Sequence, residues 1–201
     1  MRDRGMAPLR KEALEARRDS RRKQIREAAL NVFARAGVEG ARMSHIAAEA
    51  KVSHGLFYRY FPSKQALHTA LVRELTQEAL DAISRLAQGP GRPVEKLRAL
   101  TSHMLDEDNR PAFQLMLRSR AADRLPRAVK ALLARYPLSA YLAPLIPVVR
   151  AGQRTGELVE GDPGTLLTWY FDVVNGLLLS PLVSPREGRP TVDFLSRLLA
   201  R

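Results

Sequence analysis

The 201-residue sequence predicts an all-α chain in two parts: a three-helix helix-turn-helix domain near the N-terminus, then a larger helical domain. Two observations carry this. Apolar residues recur at three- and four-residue spacing almost throughout, and no alternating strand pattern stands out. Pro and Gly signals cut that pattern into one packing helix, two very short helices on a tight turn and a series of longer ones; the first three form a helix-turn-helix unit of about 45 residues.

Residues 1–19 mix Arg, Lys, Glu and Ala without an apolar stripe and read as a basic arm, mobile or weakly helical. From Ser20, the expected N-cap, Ile25, Ala28, Ala29, Val32 and Phe33 follow helical spacing as far as Gly37, which suits a helix end. "SHIAAEA" at 44–50 places Ile46, Ala47 and Ala50 on one side of a two-turn helix with Ser44 as a possible cap. After a turn at Lys51 and Val52, Ser53 caps a second short helix that runs to Phe61 and stops at Pro62. These residues define a helix-turn-helix domain over 20–66. The domain over 67–201 opens in a long amphipathic helix that "QGPGRP" ends, and further helices are predicted at about 93–107, 111–122, 126–154, 163–180 and 190–200. Pro137, Pro144 and Pro147 make 126–154 either two helices or one bent one.

Charge is uneven. Residues 1–64 hold 15 Lys and Arg against 7 Asp and Glu, a net +8 of the chain's +12. A concentrated basic surface attracts polyanions by releasing their counterions, so double-stranded DNA is the first expected partner and an anionic membrane the second. There are no cysteines, which excludes disulfides, thiolate metal sites and cysteine nucleophiles. The longest apolar run, "LSAYLAPLIPVV" at 138–149, holds two prolines and is too short to span a bilayer. With a charged N-terminus lacking a signal-like apolar stretch, the expectation is a cytoplasmic protein with no membrane partner.

"GLFYRYF" at 55–61 packs four of the twelve aromatic residues into one short helix. Adjacent helix positions do not share a face, so a core can take only some of these rings. Phe57 and Phe61, four apart, face the core with Val52. Tyr58 and Tyr60 lie to either side, where a phenolic hydroxyl can donate to a phosphate while the ring braces the helix. Lys64 is expected to reach the same backbone, and the hydroxyls of Ser44 and Ser53 suit anions. The outward residues His54, Gly55, Leu56 and Arg59 lie where a second helix reads base edges.

The stretch "MSHIAAEAKVSHGLFYRYFPSKQAL" resembles the DNA-binding signature of the TetR family of bacterial transcriptional regulators. After Ser44, the pattern I-A-x-x-A-G-V-S-x-G-x-x-Y-x-x-F-x-x-K-x-x-L is met without a gap by Ile46, Ala47, Ala50, Val52, Ser53, Gly55, Tyr58, Phe61, Lys64 and Leu67. "AGQRTGELVEGDP" at 151–163, ahead of an aromatic helix, also resembles the family's C-terminal region. One residue departs: Lys51 stands where the family has Gly, at a turn that often needs a positive φ, and it adds a cation near the expected DNA surface. The resemblance implies a homodimer with two recognition helices in successive major grooves of a pseudopalindrome. It further implies a ligand-binding and dimerisation domain in which a small-molecule effector alters the spacing of those helices, with the last two helices forming a four-helix bundle across the dimer. The expected function is a transcriptional repressor released by its ligand; the alternative is a dimeric architectural DNA-binding protein without sensing.

"TWYFDVVNGLLL" at 168–179 sets Trp169, Asp172 and Asn175 among rings, and reads either as a cavity lining or as core and dimer interface. Met104, Phe113, Met116, Tyr136 and Tyr141 leave the same alternatives. A pocket lined by such residues suits an apolar or planar ligand, and a buried Asp172 would favour a cation. No G-x-S-x-G, P-loop, G-x-G-x-x-G or H-E-x-x-H occurs, and His45, His54, His68 and His103 show no metal spacing. No enzyme activity, metal or cofactor is therefore expected.

Overall fold

The computed structural model describes residues 6–180 and 191–200, with side chains from residue 12 onward. Residues 1–5 of the expected arm and Pro190 of the expected last helix lie outside that range. Two compact units divide the chain, the first ending at Leu71 and the second beginning at Val72.

In the first unit α1 (Met6–Gly40) runs as one long helix to a kink at Gly37 (φ 69°, ψ 167°), beyond which only a short last turn follows. Ser20 is therefore not an N-cap: the helix passes through it and takes in most of the expected arm. From residue 9 to residue 36 there is neither Gly nor Pro, and Ala, Glu, Lys, Arg and Leu predominate, so nothing competes with continuation. α2 (Met43–Glu49) starts one residue earlier than its expected cap would set it. Arg42 is the N-cap, without a side-chain bond, and Ser44 sits exposed in the first turn.

The α2 end is a Schellman turn: Lys51 N donates to Ala48 O (3.0 Å) and Val52 N to Ala47 O (3.0 Å), which requires a left-handed residue between. Lys51 supplies it with φ 50°. Ser53 then caps α3 (His54–Tyr60), its Oγ accepting from Leu56 N at 3.3 Å. The core under these short helices joins Ile25, Ala29, Val32 and Phe33 of α1, Ile46 and Ala47 of α2, Phe57, Phe61, Leu67 and Leu71, all buried. Fully burying a ring such as Phe57 contributes about 1.5–3 kcal/mol. His68 is buried in the same unit, its ring edge-on to Phe33 at 6.2 Å between centroids. Burial lowers its pKa, partly opposed by the Glu39 carboxylate.

α4 (Lys64–Gln88) begins in the first unit, with Ser63 Oγ accepting from Ala66 N, and continues into the second. There follow α5 (Pro93–Leu105), α6 (Arg110–Ala121), α7 (Arg127–Arg135), α8 (Leu138–Leu142), a 3-10 turn (Ala143–Leu145), α9 (Ile146–Arg154), α10 (Pro163–Leu179) and α11 (Val192–Ser196). Of the alternatives for 126–154, the outcome is a break: α7 meets the segment Leu138–Arg154 at 45°. Tyr136, ahead of Pro137, is forced out of the helical region (φ −121°, ψ 74°), whereas Pro144 and Pro147 fall in first turns where no amide is needed.

The second core gathers Leu97, Leu100 and Met104 of α5, Leu142, Leu145 and Val149, then Leu167, Tyr170, Phe171, Val174 and Leu178 of α10. Asp162 caps α10, accepting from Thr165 N at 2.8 Å, and that bond holds its carboxyl below the usual range. The last helix is much shorter than expected. After Ser196 the chain turns back so that Leu199 O accepts from Val159 N (2.9 Å), Ala200 pairs with Leu158 in an isolated bridge, and Leu195 and Leu199 enter the core. Five residues of helix do not supply one half of a long two-helix bundle element. Among the described residues no single helix is long and apolar enough to cross a membrane.

Lys51→Gly relieves the left-handed strain at the Schellman turn and is expected to stabilise the first unit by about 1 kcal/mol, measured by chemical denaturation. A neutral buried His68 has a folded pKa below its unfolded value of 6.5. Its contribution is fully present above that unfolded pKa and is lost as pH falls from there through the folded pKa. His68→Leu is accordingly expected to narrow the difference in melting temperature between pH 7.5 and pH 5.

Candidate nucleic-acid interface

One cap bond and two rings set the pose of α3. Ser53 fixes its start, and Phe57 (0% exposed) and Phe61 (5%), 6.3 Å apart between centroids, fasten its inner face to the core. The Arg22 guanidinium lies 5.7 Å over the Phe61 ring, covering it from the α1 side. With that face committed, His54, Gly55, Tyr58 and Arg59 are exposed and Tyr60 is half-buried, whereas Leu56, expected to face outward, is half-buried as well.

Tyr58 is not a loose ring. It stands edge-on to His54 at 4.9 Å and to Phe57 at 6.0 Å, so an exposed phenol is held by one neighbour on each side. Ser44 and Lys51 are also exposed, on α2 and its turn. The hydroxyl of Ser53 is already used in the cap, which leaves its oxygen a structural role in this state.

Lys64 departs from expectation. Its Nζ donates to Glu39 O at 2.6 Å and to Ala41 O at 3.3 Å, so the ammonium that should reach a phosphate instead ties the start of α4 to the link between α1 and α2. Those carbonyls lie just past the kink at Gly37, near the C-terminal end of α1, where a cation is favoured. Arg35 and Glu49 form a second tie between α1 and α2.

Sequence reasoning missed the wall facing α3. Glu15, Arg18, Asp19 and Arg22 of α1 line a groove with Leu56, Arg59 and Tyr60. The unbroken run of helix formers across residues 9–36 was the available signal.

In the second unit the seven residues proposed for a ligand do not come together. Met104 is buried in the core, and Phe113 packs against that core, edge-on to His103 at 6.0 Å. Met116 and Asn175 are half-buried. Tyr141 lies under the Arg120 guanidinium at 5.2 Å, its hydroxyl enclosed. Trp169 is 65% exposed, and Asp172, expected to be buried, is exposed as well. The reason is helical phase: α10 turns Leu167, Tyr170, Phe171, Val174 and Leu178 inward, with Tyr170 and Thr101 sharing a buried hydroxyl bond of 2.6 Å, which leaves Trp169, Asp172, Val173 and Gly176 on the other face. Burial raises the Tyr170 pKa. Among the described residues, no three His, Asp or Glu side chains are placed to hold a metal ion.

Residues 25–71, the core and outer face just described, match the model of the bacterial regulatory proteins of the tetR family. Over these residues the chain is similar to the TetR family. Among curated relatives, the HTH-type transcriptional repressor KstR of Rhodococcus jostii is 41% identical over 86 residues, which cover 42% of this chain and 39% of that protein. The chain thus spans less than half the length of that relative. Two solved structures share the fold over most of the chain. A transcriptional regulator from Saccharomonospora viridis in complex with choline aligns over 89% of this chain and 92% of that one, at 22% identity and a TM-score of 0.67. AibR, in complex with isovaleryl coenzyme A and operator DNA, aligns over 88% and 94%, at 20% identity and a TM-score of 0.66. Within the TetR signature the match is continuous except for Lys51, whose turn keeps the left-handed geometry that glycine would adopt freely.

Lys64→Met is expected to lower the stability of the first unit by about 1–2 kcal/mol, because it leaves two helix-end carbonyls without their charged donor. Thermal denaturation without DNA reads this; an unchanged melting temperature would return Lys64 to a purely DNA-contacting role.

Proposed function

We propose that the protein is a sequence-specific, DNA-binding transcriptional repressor that acts as a homodimer and is released from a pseudopalindromic operator by a small apolar or aromatic molecule. The observation that carries this is the outer face of α3. A Ser-capped helix is bolted to its core by Phe57 and Phe61 and turns His54, Gly55, Tyr58 and Arg59 to solvent, on the part of the chain where most of the net positive charge sits.

Roles divide along that face. Residues near the start of α3, His54, Gly55 and Leu56, together with Arg59, meet base edges, while Tyr58 and Tyr60 with the exposed Ser44 and Lys51 meet phosphates. A duplex presents two such half-sites about 34–36 Å apart, which a two-fold dimer matches. Dimerisation through α10 is supported by the exposed stripe of Trp169, Val173 and Leu179, an apolar face costly to leave in water. The repressor reading draws support from KstR, and the effector reading from the complexes of AibR with isovaleryl coenzyme A and of the S. viridis regulator with choline. An apolar effector agrees with the Met, Phe and Leu residues around Met104 and Phe113. A DNA partner agrees with a cytoplasmic protein, and the outer face of α3 suits readout rather than catalytic chemistry.

Selection of bound duplexes from genomic fragments at near-physiological salt tests the reading. It is expected to recover one inverted repeat, and Arg59→Ala is expected to relax the preferred base at one position of each half-site by about 1–3 kcal/mol of discrimination. A pool that is salt-sensitive but sequence-blind would favour the architectural alternative.

A further inference from the structure

From Glu12 to Lys23 every residue of α1 is exposed. A helix that is polar all round gains little from packing, so its side chains serve solvent or a partner rather than the fold. Glu15, Arg18, Asp19 and Arg22 recur at three- and four-residue spacing and present one face to the groove whose opposite wall is Leu56, Arg59 and Tyr60 of α3. Arginine donors and the Tyr60 hydroxyl thus approach from both walls, three guanidiniums against two carboxylates. Arg17 and Arg21 continue the basic stripe on the adjoining face.

We propose that this extension of α1 is a second DNA-contacting element and that the groove between it and α3 seats a strand of phosphodiester backbone beside the half-site that α3 reads. The proposal rests on the DNA-binding reading above. Its occupant is argued from charge and continuity. Two of the groove's guanidiniums, Arg18 and Arg22 on α1, are suited to phosphate oxygens, while Arg59 on the other wall faces the bases. One wall is the helix that meets the bases, so a duplex engaged by α3 necessarily runs past the other. From Glu12 to Arg22 the helix advances about 15 Å, the axial length of about four base pairs. Glu15 and Asp19 oppose a phosphate there, which makes the seat weaker than its arginines alone would, and gives the test a second sign.

The test uses the full chain, a mixed-sequence duplex of about 30 base pairs and fluorescence anisotropy over a salt series, so it needs no operator. Arg18→Gln, inside the groove, is expected to weaken binding about 10-fold near 100 mM salt and to lower the log–log salt slope by about 1–2 per dimer. Arg17→Gln, outside the groove with the same loss of charge, is expected to cost less than about 3-fold. Glu15→Gln with Asp19→Asn is expected to tighten binding. Circular dichroism should show unchanged helicity, since Gln is a good helix former. Equal effects of Arg17→Gln and Arg18→Gln, or none from either, would overturn the groove while leaving α3 as the reader. A wild-type protein that binds no duplex would overturn the regulator reading and this one together. Preference for phosphatidylglycerol vesicles over duplex would give the arm to a membrane surface and overturn the proposal.

Discussion

The burial of Phe57 is the constraint on which the interface depends. α3 has only seven residues, too few to hold a helix by propensity. A ring at 0% exposure, with Phe61 one turn on, removes the rotational freedom of the helix about its own axis. Once that axis is fixed, the outward direction of His54, Gly55, Tyr58 and Arg59 follows from 100° per residue and nothing else. Burial of two rings, worth a few kcal/mol, therefore sets which side chains are offered to a groove.

Holding the helix is not the same as aiming it, and aiming falls to the junctions. The Schellman turn at Lys51 sets the angle between α2 and α3, and the Ser53 cap starts α3 at a defined residue. Lys64 and the pair of Arg35 and Glu49 close the other side by tying α1, α2 and α4 together. Lysine at the turn keeps the angle glycine would keep, at a cost of about 1 kcal/mol, because two backbone bonds require the left-handed geometry whatever the side chain. Geometry is preserved there and stability is what yields.

Legibility followed the range of the interactions. The helix-turn-helix could be read because its determinants, the i and i+4 rings, the Ser53 cap and the stop at Pro62, lie within a few residues of one another. The break at Tyr136 was open between two outcomes because proline position decides it, and Pro144 and Pro147 are harmless only when a new first turn happens to begin there. For Asp172 and Trp169 the choice between cavity and interface was open for a different reason. α10 is apolar on most of its circumference, so periodicity did not show which stripe faced inward until Thr101 offered Tyr170 a hydroxyl partner. The short final helix depended on Leu158, some forty residues away, and no local signal announces such a bridge. The structural bonds of Lys64 were not legible because their carbonyls come within reach only after the chain has turned at Gly37.

The extension of α1 changes how the charge at the N-terminal end should be understood. A disordered basic arm contributes to a polyanion mainly through concentration, and it loses conformational entropy when it binds. A helix continuous with the packing helix has already lost that entropy on folding, so each arginine it places at a phosphate costs less to immobilise. On that proposal the two acidic residues along the groove act as a brake on indiscriminate binding, because they reduce the net attraction that any duplex experiences. A regulator must find one site among very many, and its selectivity is a difference between specific and non-specific affinity. Lowering the sequence-blind share of that affinity while keeping a rigid, oriented arm favours selectivity without a single additional base contact.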